Sequence, residues 1–312
     1  YPARHAPRRM PALACALLVC TAAAMAAVDQ PAPAAQGADA PRLDRFEFGV
    51  KSESRTASLT DAPRLERFEF ERVEMAVPIK IVLYAADEQS AHAAATAAFD
   101  RIAQLNSIMS DYDETSQLRR LCESAGSPQA VKVSAELWEV LSLARQLAEL
   151  SDGAFDPTVG PVVRLWRRAR RQRELPSPTR LAAARELVGW RMLVLDAENH
   201  TVKLEKAGMR LDLGGIAKGY AVAEALRVLR QHGFARAMVN AGGDIGLGDP
   251  LPNRPGWQIG VAPQPPDNAP RFMLWLSNTA VATSGDMFQH VVIGGKGRSH
   301  TGGPRTRGGG VD

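Results

Sequence analysis

Asp212, Gly214, Gly215 and Lys218 fall within one short stretch, Leu211-Asp-Leu-Gly-Gly-Ile-Ala-Lys-Gly-Tyr220, and together they are the residue types that handle a phosphate. Paired glycines at the entry to a helix leave backbone N–H groups facing a ligand. The helix dipole adds partial positive charge there, and Lys218 adds a full one. Asp212 beside them is an acceptor for a ribose hydroxyl, a ring N–H or a cation. The same turn could instead serve only to let a helix pack closely on a strand, because it matches neither G-x-G-x-x-G nor G-x-x-x-x-G-K-[ST]. Three other stretches have comparable character. Ser151-Asp-Gly-Ala-Phe-Asp-Pro-Thr-Val-Gly-Pro161 is a stiff loop, of a kind that holds planar ligands but is often merely a turn. Ala241-Gly-Gly-Asp-Ile245 is a second glycine turn, and Ala280-Val-Ala-Thr-Ser-Gly-Asp286 sets small and hydroxyl residues where a ligand could approach. His290 and His300 fall near this last stretch, although an isolated histidine is more often structural or solvated. No zinc spacing, H-E-x-x-H or G-x-S-x-G is present.

These residues need elements to position them. Folded structure is expected to begin at Phe68, with a strand over Arg72 to Tyr84 and a helix from Glu88 to Met109. A short helix follows at Ser116 to Leu121, and Ser134 caps another that runs to Leu150. A charged helix and a Pro176–Pro178 loop precede a hairpin of Met192–Asp196 and Thr201–Leu204. Leu211 and Leu213 then read as the end of a strand entering the glycine turn. The helix after that turn carries Ala221, Val222, Ala225, Leu226 and Leu229 on one face and stops near Gly233. Strands are expected at Ala235–Asn240, Trp257–Val261 and Phe272–Ser277. The architecture this predicts is α/β (α+β), with mixed sheets, helices and two lobes, over residues 68–312.

The chain has 312 residues, 45% hydrophobic and 23% charged, enough for one large domain or two small ones. Its formal net charge is +4, much of it in Arg164-Leu-Trp-Arg-Arg-Ala-Arg-Arg-Gln-Arg173. Interrupted by Leu165 and Trp166, that run reads as a solvated helix face, and no nucleic-acid motif accompanies it. Residues 1–27 read as a signal peptide, with Arg4, Arg8 and Arg9, an apolar core, and Ala24-Met-Ala26 as a cleavage site. Cys20 offers an alternative as a lipid attachment point, so the expected location is periplasmic or exported, with a membrane tether if Cys20 is lipidated. Residues 28–67, rich in Ala, Pro, Ser and charge, read as a disordered tether. Cys122 has no partner once Cys15 and Cys20 leave with the leader, so it is expected to be a buried, inert thiol.

Taken together, six stretches in order resemble the ApbE family of FAD:protein FMN transferases. They are Met75, Met109-Ser-Asp-Tyr-Asp-Glu-Thr-Ser-Gln-Leu118, Asp152 to Trp166, Leu211 to Tyr220, Val239-Asn-Ala-Gly-Gly-Asp244 and Ala282-Thr-Ser-Gly-Asp286. The resemblance covers roughly residues 68–300. It implies that FAD is split at its pyrophosphate, that FMN passes to a Thr or Ser of a target flavoprotein, and that AMP leaves, with Mg²⁺ required. It implies that Met75, Tyr112, Ala154, Phe155, Asp156, Asp212, Lys218 and Thr301 contact FAD. By the same resemblance the carbonyl of Gly215 is a magnesium ligand and His300 is the general base.

The resemblance breaks at the end. The family's Ser-His-x-x-Asp-Pro-Arg-Thr-Gly stands here as Ser299-His-Thr-Gly-Gly-Pro-Arg-Thr-Arg307, and the family's further Asp and Thr metal ligands lie beyond Asp312. Magnesium leans on carboxylates in near-octahedral geometry. The expectation is therefore a domain missing its C-terminal end, with a catalytically impaired FAD-binding protein as the alternative to an active transferase.

Overall fold

The computed structural model describes residues 65–261, 270 and 272–283 in full. Beyond these it gives strand pairing for short segments at 25–27, 290–293, 296–299, 302–303 and 308–309. The leader's Cys20, most of the tether, His300 and Thr301 lie outside the described residues.

In chain order the elements are β1 (Met25–Ala27), β2 (Glu66–Glu74), β3 (Val77–Ala85), α1 (Glu88–Met109), α2 (Gln117–Glu123), β4 (Val131–Lys132) and α3 (Ala135–Leu150). Then come α4 (Gly160–Gln172), α5 (Pro178–Arg185), β5 (Leu193–Asp196), β6 (Thr201–Leu204), α6 (Ala217–Gln231), β7 (Ala237–Ala241) and β8 (Asp244–Leu247). Last are β9 (Trp257–Val261), β10 (Phe272–Leu276), β11 (Thr279–Val281), β12 (His290–Ile293), β13 (Lys296–Ser299), β14 (Gly302–Gly303) and β15 (Gly308–Gly309). Among the described residues no helix is long and apolar enough to cross a membrane.

The central sheet has the order β11-β8-β7-β3-β2, and a smaller one runs β1-β9-β10. A third sheet, β4-β6-β5, lies with the middle of the chain. Every ladder among the described residues is antiparallel, and the parallel component is a single bridge between Val159 and Arg210.

Strand β3 shows why the layers stack as they do. Alternate side chains of a strand face opposite sides, and both sides are buried here. Ile79, Ile81 and Leu83 join the main core with Ala94, Ala98, Ile102 and Leu105 of α1 and Ala221, Ala225 and Leu229 of α6. On the opposite side Val82 packs with Met238, Ile245, Leu247 and Ile259 under β9 and β10. Helices, central sheet and smaller sheet thus form three layers, and burying both faces fixes the register, since a one-residue slip would exchange them. Arg101 ties three helices together, pairing from α1 with Glu136 of α3 at 3.0 Å and Glu224 of α6 at 2.6 Å.

Three expectations change. The strand over Arg72 to Tyr84 is a hairpin that reverses at Met75 and Ala76, whose φ angles are 52° and 61°. A two-residue turn with both central residues left-handed matches the twist of the flanking strands. Here it is built without the Gly or Asn that would mark it in a sequence. Leu211–Leu213 does not join a sheet. Its N–H groups go elsewhere: Leu211 donates to Cys122 Sγ at 3.3 Å and Asp212 to the carbonyl of Pro157 at 2.8 Å. The alternating pattern comes from burial of Leu211 and Leu213 beside the Asp156–Val159 loop. Pro176–Pro178 is in part the start of α5, with Ser177 accepting from the N–H of Arg180 and Pro178 in the first turn.

Candidate active site

The turns converge at one end of the central sheet. Ile79 of β3 pairs with Ala241 of β7, so the Met75–Ala76 reversal and the β7–β8 reversal lie side by side. The latter is also a two-residue turn, with Gly242 at φ +61° and Gly243 at φ +101°. A Cβ on Gly242 would stand 3.2 Å from Val77, so glycine serves both the backbone angle and the close approach. Asn240 Oδ1 accepts the N–H of Gly243 at 3.0 Å.

Helix α6 enters from the Gly214–Gly215 turn, and Lys218 in its first turn pairs with Asp244 at 2.7 Å. That contact brings the two glycine turns together. Phe155 lies on the first of them, its ring 3.1 Å from where a Cβ of Gly215 would be. Phe155 is delivered by the loop that leaves α3, whose Asp152 and Gly153 take φ angles of 49° and 75°. Thr283, after β11, has a hydroxyl buried without a partner among the described residues, and its Cβ is 3.9 Å from the Cβ position of Gly243. A buried hydroxyl with nothing to bond is a place for a ligand oxygen.

Asp156 faces inward. Its Oδ1 accepts from the N–H and hydroxyl of Thr158 at 2.8 and 2.6 Å, and its Oδ2 accepts from the N–H of Trp190 at 3.1 Å. Thr158 in turn accepts from the N–H of Gly189 at 2.8 Å. The carboxylate holds the loop that presents Phe155, and its own oxygens are occupied by the fold. Ala154 lies in the same turn, its N–H on the carbonyl of Ser151 at 3.1 Å.

Asp212 sits at the junction of three segments. Its Oδ1 accepts the N–H of Gly214 at 2.8 Å, shaping the turn as a short side chain often does. Its Oδ2 pairs with Arg167 of α4 at 2.8 Å, and the same guanidinium pairs with Asp111. The guanidinium lies 4.4 Å from the ring centroid of Tyr112, a cation–π distance. Burial pushes the Asp212 carboxyl above its ordinary value, while Arg167 and the Gly214 N–H pull it back and Asp111 adds to the rise. Tyr112 is the opposite case: at 73% exposed, it offers a bare aromatic ring on the surface. Helix α4 reaches this place because Gly160 sits beside Arg210 at the Val159–Arg210 bridge, where a Cβ would stand 2.7 Å from the Arg210 carbonyl oxygen.

The fold thus gathers Met75, Tyr112, Phe155, Asp212, Gly215 and Lys218 around one end of the sheet, while His300 and Thr301 lie outside the described residues. Arg167, Asp111, Asp244 and Thr283 complete the cluster without having been singled out individually. Arg167 is hidden in sequence by the arginines around it. Asp244 carried a signal, since it follows a glycine pair as Lys218 does. The thiol of Cys122 is buried, raised by desolvation and bonded to the Leu211 N–H, in line with an inert role.

A sheet end lined by two glycine turns, a helix N-terminus and an exposed aromatic ring, on a fold of helices and antiparallel sheets, is an arrangement suited to a phosphate-bearing ligand. The sequence model of the ApbE family matches residues 75–309, and the chain belongs to that family. A FAD:protein FMN transferase of Chlamydia muridarum is 29% identical over 234 residues, covering 74% of this chain and 71% of its own. Another, from Haemophilus influenzae, is 32% identical over 65% of this chain, which spans 60% of that relative's length. Among solved structures, the ApbE protein of Thermotoga maritima superposes with a TM-score of 0.69 at 30% identity, covering 78% of each chain. The flavin transferase ApbE of Vibrio cholerae gives 0.68 at 27% identity, also over 78% of each chain.

Proposed function

We propose that this chain is a FAD:protein FMN transferase. The observation that carries the reading is the meeting of both glycine turns, Lys218 and the Tyr112–Arg167–Asp212 group at one end of the sheet, in a member of a family whose relatives bear that name. In this reading the diphosphate of FAD lies against the N–H groups of the Gly214–Gly215 turn, where the start of α6 and Lys218 offset its charge. The flavin ring lies on Tyr112. The hydroxyl oxygen of a Ser or Thr on the acceptor flavoprotein attacks the phosphorus of the FMN half. The bond from that phosphorus to the bridging oxygen breaks, AMP leaves with the bridging oxygen, and the hydroxyl proton passes to a base, for which His300 is the expected group. Cations and N–H donors speed such a transfer because charge on the leaving phosphate grows in the transition state.

Magnesium, if bound, would supply positive charge to the substrate's diphosphate, and the described residues offer it little. There the two carboxylates at the turns, Asp212 and Asp244, are held by Arg167 and Lys218, and no group of three His, Cys, Asp or Glu stands together. The described residues do not fit a complete magnesium site. Gly215 keeps only its carbonyl as a candidate ligand.

The test is to incubate the folded protein with FAD, Mg²⁺ and an acceptor domain bearing a Ser or Thr site. The expected result is flavin fluorescence that stays with the acceptor on a denaturing gel, with AMP released in equal amount. No label from a folded sample that binds FAD would favour the impaired FAD-binding reading. Repeating the assay with EDTA tests magnesium: loss of label supports it, and undiminished label removes it. We also infer export, from the leader character of residues 1–27. Finding the expressed protein solely in the cytosolic fraction would contradict this.

A further inference from the structure

Helix α4 carries a run of arginines, and one of them is unlike its neighbours. Arg164, Arg170 and Arg171 form no ion pair among the described residues, whereas Arg167 makes two, to Asp111 and to Asp212 at 2.8 Å. Its guanidinium also covers one face of Tyr112 at 4.4 Å. Asp111 and Tyr112 belong to the turn that ends α1, while Asp212 belongs to the turn that starts α6. These are separate segments, and Arg167 joins them. The planar fork of an arginine can bond two carboxylates while stacking on a ring, which a lysine cannot do.

We propose that Arg167 is the positioning residue of a flavin-ring platform, locking the Tyr112 turn to the Asp212 turn so that the ring lies on the outer face of Tyr112 against Asp212. The inference rests on the reading that this site binds FAD. Tyr112 is 73% exposed although one face is covered by the guanidinium, so its other face is open. Without Arg167, Asp111 and Asp212 would approach each other with no cation between them, and like charges would drive the turns apart or protonate one carboxylate.

The surroundings of Asp212 sharpen this. The groups facing it are Arg167 from α4, Asp111 from the turn after α1, and the Gly214 N–H of its own turn. Lys218 of α6 is engaged by Asp244, and from α2 the thiol of Cys122 accepts the neighbouring Leu211 N–H. Arg167 is therefore the cation that offsets Asp212's burial, and the Asp212 side chain is only 9% exposed. Removing that cation lets the carboxyl take up a proton at higher pH. An acceptor for a ring N–H then becomes a competing donor as the pH falls.

The experiment titrates FAD and, separately, riboflavin against the wild-type protein and the Arg167→Ala, Arg167→Lys and Asp111→Asn variants by flavin fluorescence from pH 5.5 to 8. Circular dichroism melts confirm that each variant is folded. The expected result is a loss of at least tenfold in affinity for both ligands in Arg167→Ala, growing toward low pH. Arg167→Lys should restore the flat pH profile but not the full affinity. Asp111→Asn, which cuts the far arm, should fall between wild type and Arg167→Ala. Unchanged or tighter binding by Arg167→Ala overturns the proposal, tighter binding meaning that the guanidinium occupies the ligand's place. A loss for FAD with none for riboflavin overturns it as well, since the guanidinium would then serve the phosphates. If Arg167→Ala does not fold, the Arg167→Lys and Asp111→Asn results decide, and wild-type affinity in both overturns it. A wild-type protein that binds neither ligand would refute the FAD reading itself, a distinguishable outcome.

Discussion

At the scale of single residues, what decides a role is where the oxygens and charges are already committed. Asp156 is buried and Asp212 is partly so, both near glycines, yet their environments divide them. The three donors on Asp156 make it a brace for the Phe155 loop. Replacing Asp156 with Ala should leave the Trp190 N–H and the Thr158 N–H without their acceptor. The cost expected is about 3 kcal/mol of folding stability, at roughly 1–3 kcal/mol for each buried group left unbonded. A urea titration of the two proteins reads it directly. Lys218 is the opposite case, a cation at a helix start whose only described partner is Asp244, at 2.7 Å. Lys218→Ala should weaken FAD binding by about tenfold or more, equivalent to about 1.4 kcal/mol, with little change in melting temperature. Fluorescence titration beside a thermal melt separates those effects. The sequence made Lys218 and Asp212 visible because glycine pairs point to turns. It hid Arg167 because nothing in a run of arginines tells which one turns inward.

Elements hold these residues in place by close packing and by charge. Helix α6 lies on β8 at Gly246, where a Cβ would stand 2.5 Å from a Val222 methyl and 2.8 Å from a Leu226 methyl. Gly246→Ala should cost about 1–3 kcal/mol by forcing the helix off the sheet. Gly219 within the same helix has nothing within 4 Å of its Cβ position. Gly219→Ala should instead stabilise by about 0.5–1 kcal/mol through helix propensity. Paired melts of the two variants check the contrast. The three-helix clamp has a pH signature. Hydrogen bonds from Arg227 and then Arg101 hold Glu224 down to about 2, against the opposing effect of burial. A lowered folded pKa means stability that is present above the ordinary glutamate value, about 4.3, and lost as the pH falls through that value toward 2. Glu224→Gln should therefore cost about 1–2 kcal/mol at neutral pH and nearly nothing near pH 2. Urea unfolding at several pH values measures the difference. Helical periodicity made α1, α3 and α6 readable, and α6 buries Ala221, Val222, Ala225 and Leu229 of its expected face. The Met75–Ala76 reversal was not readable, because two ordinary residues adopt left-handed angles there. Leu211–Leu213 imitated a strand because alternate burial does not require a ladder.

Across the whole molecule, the central sheet acts as a frame with its chemistry at one end. Three layers bury both faces of β3, and the reversals at that end approach each other because Ile79 pairs with Ala241. Segments from 75 to 283 in the chain therefore meet in space, in the order in which the family's motifs occur. That convergence was legible as a resemblance and not as geometry, since spacing along a chain does not say which turns share a sheet end.

In the proposed function FAD lies with its diphosphate on the Gly214–Gly215 turn and its ring on Tyr112. The most direct measurement is a crystal structure of the protein with FAD. Diphosphate oxygens are expected within hydrogen-bond distance of the backbone N–H groups at 214–218, with the flavin ring stacked on Tyr112. A nucleotide bound elsewhere on the protein, with this turn facing only solvent, would contradict it.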